Sequence, residues 1–247
     1  LALDASQEIA FNQVFDGLRI DYIVNAIGMI KQVINETDFS DLQKAQVINC
    51  DFVAKLNEYS DSREVPVIQI GTDCVFSGKK GDYLDNDIKD AIDLYGLTKS
   101  MGEIIDSKFT ITLRGSMIGR ELENKTELFE WFLKQKNKTI KGFNKVIYSG
   151  ITTTKMAEIV LKLIDQYPNL SGVYNISSKP ISKFDLLKLW NDYFDIKANI
   201  KIDNSYTSNK NLISDKLFKA IELEQPNWDD LINQLKIDAE LYNNLYI

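Results

Sequence analysis

Short apolar runs, each followed by an amphipathic stretch, govern what this chain can fold into. Tyr22-Ile-Val-Asn-Ala-Ile-Gly28 is one such run and Val65-Pro-Val-Ile-Gln-Ile-Gly71 is another. Phe109-Thr-Ile-Thr-Leu-Arg114 is β-branched and alternating, and Gly172-Val-Tyr-Asn-Ile-Ser177 is a fourth. A continuous apolar run of this length suits a parallel strand buried on both faces. Between the first two runs, Leu42, Ala45, Val47, Phe52, Val53 and Leu56 recur at helical spacing across Phe39–Tyr59. Leu94–Asp106 also reads as a helix. Strands alternating with helices at this spacing predict an α/β chain built on a doubly wound, mostly parallel sheet.

The second half reads differently. Thr126–Gln135 carries Leu128, Phe129, Trp131, Phe132 and Leu133 on a helical pattern, and Thr153–Asp165 forms another. Ser182-Lys-Phe-Asp185 resembles a capping box opening a helix that continues to Phe194. Asn227 is placed to cap a last helix from Trp228 to about Tyr246. No repeat or flexible linker separates the parts, so a smaller lobe is expected to interleave with the sheet domain. The predicted division gives 1–118 and 150–177 to the sheet domain, and 119–149 and 178–247 to the lobe.

Composition removes whole classes of chemistry. The chain has no histidine, which excludes Ser-His-Asp and Cys-His catalysis and the common zinc sites, and no metal site is expected. Two cysteines, Cys50 and Cys74, cannot make a disulfide scaffold and point to a reducing compartment, hence the cytoplasm. A formal charge of −7 disfavours nucleic acid as a partner. No apolar run reaches the ~18 residues a membrane span needs. The segment Leu1–Phe11 lacks the basic cluster of a signal peptide. Acid–base work is therefore left to Tyr, Lys, Asp or Glu.

One constellation answers that requirement: Gly71-Thr-Asp-Cys-Val-Phe-Ser-Gly78 followed by Tyr95-Gly-Leu-Thr-Lys99. Residues i and i+4 share a helical face, so the phenol and the ammonium can share a pocket. A free tyrosine ionises near pH ~10, and an adjacent cation favours its anion. Such a tyrosine can pass a proton to a carbonyl oxygen as hydride arrives at carbon. Thr72, at the C-terminal end of a strand, can hydrogen-bond the same oxygen. The spacing alone is weak, because Tyr193/Lys197 and Tyr206/Lys210 share it. Tyr95 stands apart because it opens a helix and follows a strand ending in Thr-Asp-x-Val-Phe-x-Gly.

On Asn25-Ala-Ile-Gly28, Thr72–Gly78, Tyr95–Lys99, Leu113-Arg-Gly-Ser116 and Val173-Tyr-Asn-Ile-Ser177, the sequence resembles the extended short-chain dehydrogenase/reductases. It is most similar to the dTDP-4-dehydrorhamnose reductase-like branch, from about Leu3 to Leu231. Ile27–Gln32 and Glu130–Leu133 resemble a subgroup of surface-polysaccharide sugar pathways. The resemblance implies a Rossmann-like sheet domain with a smaller interleaved substrate-binding lobe. It also implies reduction of a nucleotide-diphosphate-linked 4-keto-6-deoxy sugar with NADPH or NADH.

By the resemblance, Tyr95 is the general acid, Lys99 its electrostatic partner and a ribose contact, and Thr72 the donor to substrate oxygen. Asn25, Ala26, Ile27 and Gly28 would line the cofactor's path, Asp4 would touch the adenine, and Ser116 and Met117 would lie near the carboxamide. Substrate contacts would come from Thr72, Asp73 and Cys74, with Lys141 and Lys145 as candidates for the diphosphate. A nucleotide sugar is the implied partner; apart from the resemblance, a sheet edge left open would pair with a second copy of the chain.

Plainer readings stand beside these. Asn25 can equally tie strands together, Asp73 organise a loop, Arg114 form a structural ion pair, and the lysines simply meet water. Trp131 and Trp190 read as core residues, and both cysteines as inert small ones. Gly71 replaces the branch's usual serine, which would loosen the substrate side. The Gly-rich turn that cradles a pyrophosphate is missing, so the sheet domain is expected to be incomplete at its N-terminal side, with Tyr22–Ala26 as an edge strand. Two alternatives remain: an epimerase or dehydratase of the same superfamily, and a non-catalytic binding or regulatory relative. Cys74 stands where a dehydratase would carry a second acid.

Overall fold

The computed structural model describes residues 4–7, 11–15, 17–122 and 125–243. In chain order the first half contains α1 (Phe11–Val14), β1 (Ile23–Asn25), α2 (Phe39–Gln46), α3 (Phe52–Arg63), β2 (Val67–Ile70), α4 (Leu94–Met101) and β3 (Thr110–Arg114). There follow β4 (Met117–Ile118), α5 (Leu128–Leu133), β5 (Thr139–Phe143), β6 (Val146–Tyr148), β7 (Ile151–Thr152), α6 (Thr153–Gln166) and β8 (Gly172–Asn175). The last elements are β9 (Ile181–Ser182), α7 (Lys183–Tyr193), β10 (Asn199–Asp203), β11 (Ser208–Asn209), α8 (Asp215–Ala220) and α9 (Trp228–Asn243).

Two compact units emerge, each assembled from separate stretches of chain: Leu1–Ser77, Asp85–Arg114 and Lys162–Asn175 form one, and Gly78–Leu84, Gly115–Leu161 and Ile176–Ile247 the other. The boundary at 161/162 falls within α6.

The first unit holds a four-stranded sheet in the order β1-β2-β3-β8, and every pair is parallel. These are the four apolar runs. Strands β2 and β3 are buried at every position, as central strands covered on both faces must be. Strand β1 is an edge among the described residues and exposes Val24. Phe11, Phe52, Val53 and Leu56 pack with Ala5 and Val67 into one core cluster. Phe11 meets Phe52 edge-on at 5.5 Å, a geometry aromatic quadrupoles favour.

The expected Phe39–Tyr59 helix is interrupted. A single π-turn, Val47–Asp51, separates α2 from α3 and buries Asn49. Such a turn accommodates one extra residue and re-aims side chains. Asp38 caps α2 by accepting from the Ser40 amide at 2.8 Å. The helix expected to reach Asp106 stops at Met101, where Gly102 caps it.

The second unit is built differently. Strands β5 and β10 pair in parallel, β11-β6-β9 form a small mixed sheet, and β4 pairs with β7. Ser182 caps α7 as its sequence suggests: its Oγ accepts from the Asp185 amide at 3.0 Å and donates to that carboxylate at 2.7 Å. Asn227 caps α9 in the same way, through the Asp230 amide at 3.0 Å. The end expected near Tyr246 lies outside the described residues. Among the described residues, no helix is long and apolar enough to cross a membrane.

The core of this unit gathers on Trp190, which has no exposed surface. It meets Phe129 edge-on at 5.1 Å and Phe132 at 5.7 Å. Trp131, read as core from its helical stripe, is instead 38% exposed, because α5 turns Phe129, Glu130 and Phe132 inward. The Trp190 indole N–H finds no hydrogen-bond partner among the described residues, so its burial carries an unrepaid desolvation cost. Trp190→Ala should therefore destabilise the protein by about 3–5 kcal/mol in denaturant unfolding. Trp190→Phe, which deletes the orphan donor, should cost clearly less.

Candidate active site

The C-terminal ends of β1 and β2 deliver the candidate site. Chain direction dictates this, because in a parallel sheet every strand leads into its loop at the same edge. At the end of β1, Asn25 is buried, donating to Gln69 Oε1 on β2 at 2.7 Å and accepting from the Ile27 amide at 3.1 Å. Asn25 thus ties strands together and shapes the next turn. Ala26, Ile27 and Gly28 then come to the surface, forming a small apolar shelf at the sheet edge.

At the end of β2, Thr72 opens a short 3-10 turn, Asp73–Val75, and caps it by accepting from the Cys74 amide at 3.1 Å. Its hydroxyl reaches Asp73 Oδ1 only at 3.4 Å, which leaves that donor lightly committed. Asp73 is buried and organises the turn. Gly71 does not loosen this end. A Cβ there would lie 3.1 Å from the Leu113 carbonyl and 3.2 Å from Thr112 Cγ2, so this position packs tightly against β3.

Tyr95 and Lys99 both lie on α4, as their spacing requires. Asp93 caps the helix by accepting from the Gly96 amide at 2.9 Å. Lys31 holds the Asp93 carboxylate at 2.7 Å, and Glu36 accepts from the Leu94 amide at 3.1 Å. The loop after β1 is thereby fastened to the first turn of α4. Lys99 is buried, and its Nζ donates to the Ile70 carbonyl at 3.1 Å. Burial pushes its pKa below the ordinary lysine value, while the Glu103 carboxylate pulls it back up. A Cβ on Gly28 would lie 3.6 Å from that Nζ, so the shelf and the ammonium adjoin.

Sequence reasoning missed Asn49. From the π-turn, its Oδ1 accepts from the Met29 amide at 2.9 Å. Its Nδ2 donates to the Met29 carbonyl and to Thr98 Oγ1, both at 3.0 Å. One amide thus joins the loop after β1 to the residue beside Lys99. The only signal available was a polar residue on an apolar helical face.

The other candidate residues are placed as follows. Asp4 accepts from the Ser6 amide and hydroxyl at 2.9 and 2.7 Å, and these bonds hold its carboxyl below the usual range. The residues after it, Ala5 to Gln7, line a cavity of about 290 Å³ with Phe11, Val47, Asp51, Phe52 and Lys55. Ser116, Met117, Lys141 and Lys145 belong to the second unit. There the Ser116 carbonyl accepts from the Ile151 amide at 2.9 Å, and Met117 is exposed. Lys141 pairs with Asp203 at 3.4 Å, and Lys145 is exposed. Cys50 and Cys74 are half-buried, and burial pushes the Cys50 thiol up.

A family model described as the RmlD substrate binding domain matches residues 2–203. No curated protein matches the sequence. Among solved structures, a hypothetical dTDP-4-dehydrorhamnose reductase from Sulfolobus tokodaii superposes with a TM-score of 0.76 at 24% identity, covering 89% of this chain and 80% of its own. The dTDP-4-dehydrorhamnose reductase of Bacillus anthracis, in complex with NADP, gives 0.80 at 21% identity, with 95% and 86% covered. The Bordetella bronchiseptica enzyme WbmG, in complex with NAD and UDP, gives 0.76 at 15%, with 94% and 75% covered. At these identities the superpositions establish a shared fold, the Rossmann-like α/β architecture.

Two glycines let α4 approach its neighbours. A Cβ on Gly96 would collide with the Cys74 carbonyl, and one on Gly102 with the Asn49 carbonyl. Gly102→Ala should lower stability by about 1–3 kcal/mol, the usual cost of overpacking. Gly28→Ala, where a Cβ would make only ordinary contacts at 3.4 and 3.6 Å, should leave the melting temperature nearly unchanged. Thermal melts of the two variants side by side check the contrast.

Proposed function

The chain belongs to the RmlD substrate binding domain family, and from that premise we propose that it reduces a nucleotide-diphosphate-linked 4-keto-6-deoxy sugar at the expense of NADPH or NADH. The observation that carries this reading is the buried Lys99 ammonium on the helix of Tyr95, at the edge where Thr72 ends β2. Surface-polysaccharide sugar synthesis in the cytoplasm is the setting it suits.

The residues present offer contacts to the nicotinamide and adenine ends of a dinucleotide, and none to its pyrophosphate is assigned among them. Ala26, Ile27 and Gly28 offer an exposed apolar shelf beside Lys99, and the cavity at Ala5–Gln7 adjoins Asp4. These residues and Lys99 would hold it, with Ser116 and Met117 as carboxamide contacts. When bound, it supplies the hydride. Tyr95 gives its phenolic proton to the substrate's carbonyl oxygen as charge develops there. Lys99 makes that proton easier to give by stabilising the phenolate left behind. The Thr72 hydroxyl, loosely held by Asp73, turns to the same oxygen and stabilises it. Lys141 and Lys145 are the proposed diphosphate contacts; Lys141 would have to leave Asp203 to serve.

Steady-state assays with a nucleotide-linked 4-keto sugar and reduced nicotinamide test the assignment. Tyr95→Phe should lower turnover by at least about 100-fold, the low end for lost general-acid catalysis, and Lys99→Met should be comparably damaging. Tyr193→Phe and Tyr206→Phe, at the two decoy pairs, should be nearly silent. Product should form in step with cofactor oxidation. Product without net oxidation would instead identify an epimerase, and near-normal reduction by Tyr95→Phe would remove Tyr95 from the reaction.

A further inference from the structure

We propose that the Glu103 carboxylate, clamped by Arg114 and Lys89, is a positioning residue that acts through Lys99: it supplies the buried countercharge for that ammonium. The proposal rests on the assignment of Lys99 to the reaction, but its first test does not need turnover.

Lys99 needs such a partner. It is 7% exposed, and its one hydrogen bond described above goes to a neutral carbonyl. An ammonium taken out of water and offered only neutral partners tends to release its proton. Its own segment carries the N-cap Asp93, Tyr95 and Glu103 as ionisable groups. Strand β2 offers the Ile70 carbonyl and the loop after β1 offers Gly28, while the π-turn carries Asn49, Cys50 and Asp51 and the turn after β2 carries Asp73 and Cys74. Glu103 brings a carboxylate to the end of α4, and its charge favours the ammonium that burial disfavours. It follows Lys99 by four residues, just past the Gly102 cap.

Glu103 is fixed far more firmly than a chance neighbour would be. Arg114 grips both carboxylate oxygens, Nε to Oε1 and Nη2 to Oε2, each at 2.8 Å. Arg114 Nη1 in turn donates to the Asp85 carbonyl at 3.2 Å and Asn175 Oδ1 at 3.1 Å, and the guanidinium lies 5.0 Å from the centre of the Phe76 ring. Glu103 and Arg114 are 8% and 2% exposed, so neither swings toward water. Lys89 Nζ reaches Glu103 Oε2 at 3.1 Å and also donates to the Ser100 carbonyl, next to Lys99. The carboxylate is thus held in register with the last turn of α4. The Lys89 clamp ties the ion pair to the segment that carries Lys99.

Lysine labelled with carbon-13 at Cε reports each amine's titration by NMR, and the Lys99 signal is identified by its loss in Lys99→Arg. Glu103→Gln should lower the Lys99 midpoint by about one pH unit or more, the effect of an opposite charge removed at close range. Lys89→Met, which keeps the carboxylate, should not lower it. If Glu103→Gln fails to fold, Glu103→Gln/Arg114→Met is read against Arg114→Met, and the double variant should show the lower Lys99 midpoint of the two. Glu103→Asp, which draws the charge back, should lower it by less. An unchanged Lys99 midpoint in any folded variant lacking the Glu103 carboxylate overturns the proposal and leaves a structural ion pair. In the working enzyme, the protonated amine is the active form, so the basic limb of kcat/KM should move to lower pH in Glu103→Gln, with activity retained below it. A chain without reductase activity would sink the proposed reaction while the NMR result still decides the role of Glu103.

Discussion

Backbone pressed against backbone sets where Tyr95 and Lys99 stand. The short helix that carries them meets the Cys74 carbonyl at Gly96 and the Asn49 carbonyl at Gly102. Neither contact survives a side chain, so the glycines fix the helix's distance from the end of β2 and from the π-turn. Once that distance is fixed, the other contacts follow. Lys99 can reach the Ile70 carbonyl, Thr98 can accept from Asn49, and Asp93 can cap the helix while holding Lys31. Such over-determination suits a site that must hold reacting groups to a fraction of an ångström.

The same sheet carries buried polar groups that meet in pairs across neighbouring strands. Asn25 meets Gln69 across β1 and β2, and Arg114 meets Asn175 across β3 and β8. Replacing a buried ion pair such as Arg114–Glu103 by apolar residues is often neutral or stabilising. Its presence here is better explained by where it places charge than by the stability it adds. Polar residues thus gather at the carboxyl ends of otherwise apolar strands.

The strands were legible because burial on both faces writes itself as unbroken apolar sequence, and all four runs pair in one parallel sheet. Tyr95, Lys99 and Thr72 were legible because their spacing and flanking residues are local. Asn49 was not, since its partners Met29 and Thr98 lie 20 and 49 residues away and no periodicity announces a π-turn. Nor were β5 and β10: β5 buries Gly142 and exposes Phe143, and β10 exposes Ile202, so residue type does not follow burial along either strand. Trp131 and Trp190 share an apolar context in sequence. Only the packing of α5 and α7 separates the exposed ring from the buried one.

The division of the chain into interleaved segments bears on how the protein is made. Strand β8 pairs with β3 in the register Leu113↔Tyr174, although much of the second unit's chain lies between them. As the polypeptide leaves the ribosome, β3 emerges well before its outer neighbour. The first unit cannot close until Asn175 has appeared, and the second waits for α9, which brings Ile232 and Leu235 into its core. Pairings of such long sequence separation form slowly, because loop-closure entropy is lost before the contact is gained. During that wait the buried strands β2 and β3 present apolar faces to the cell, so the nascent chain, rather than the finished protein, is where a chaperone would be needed.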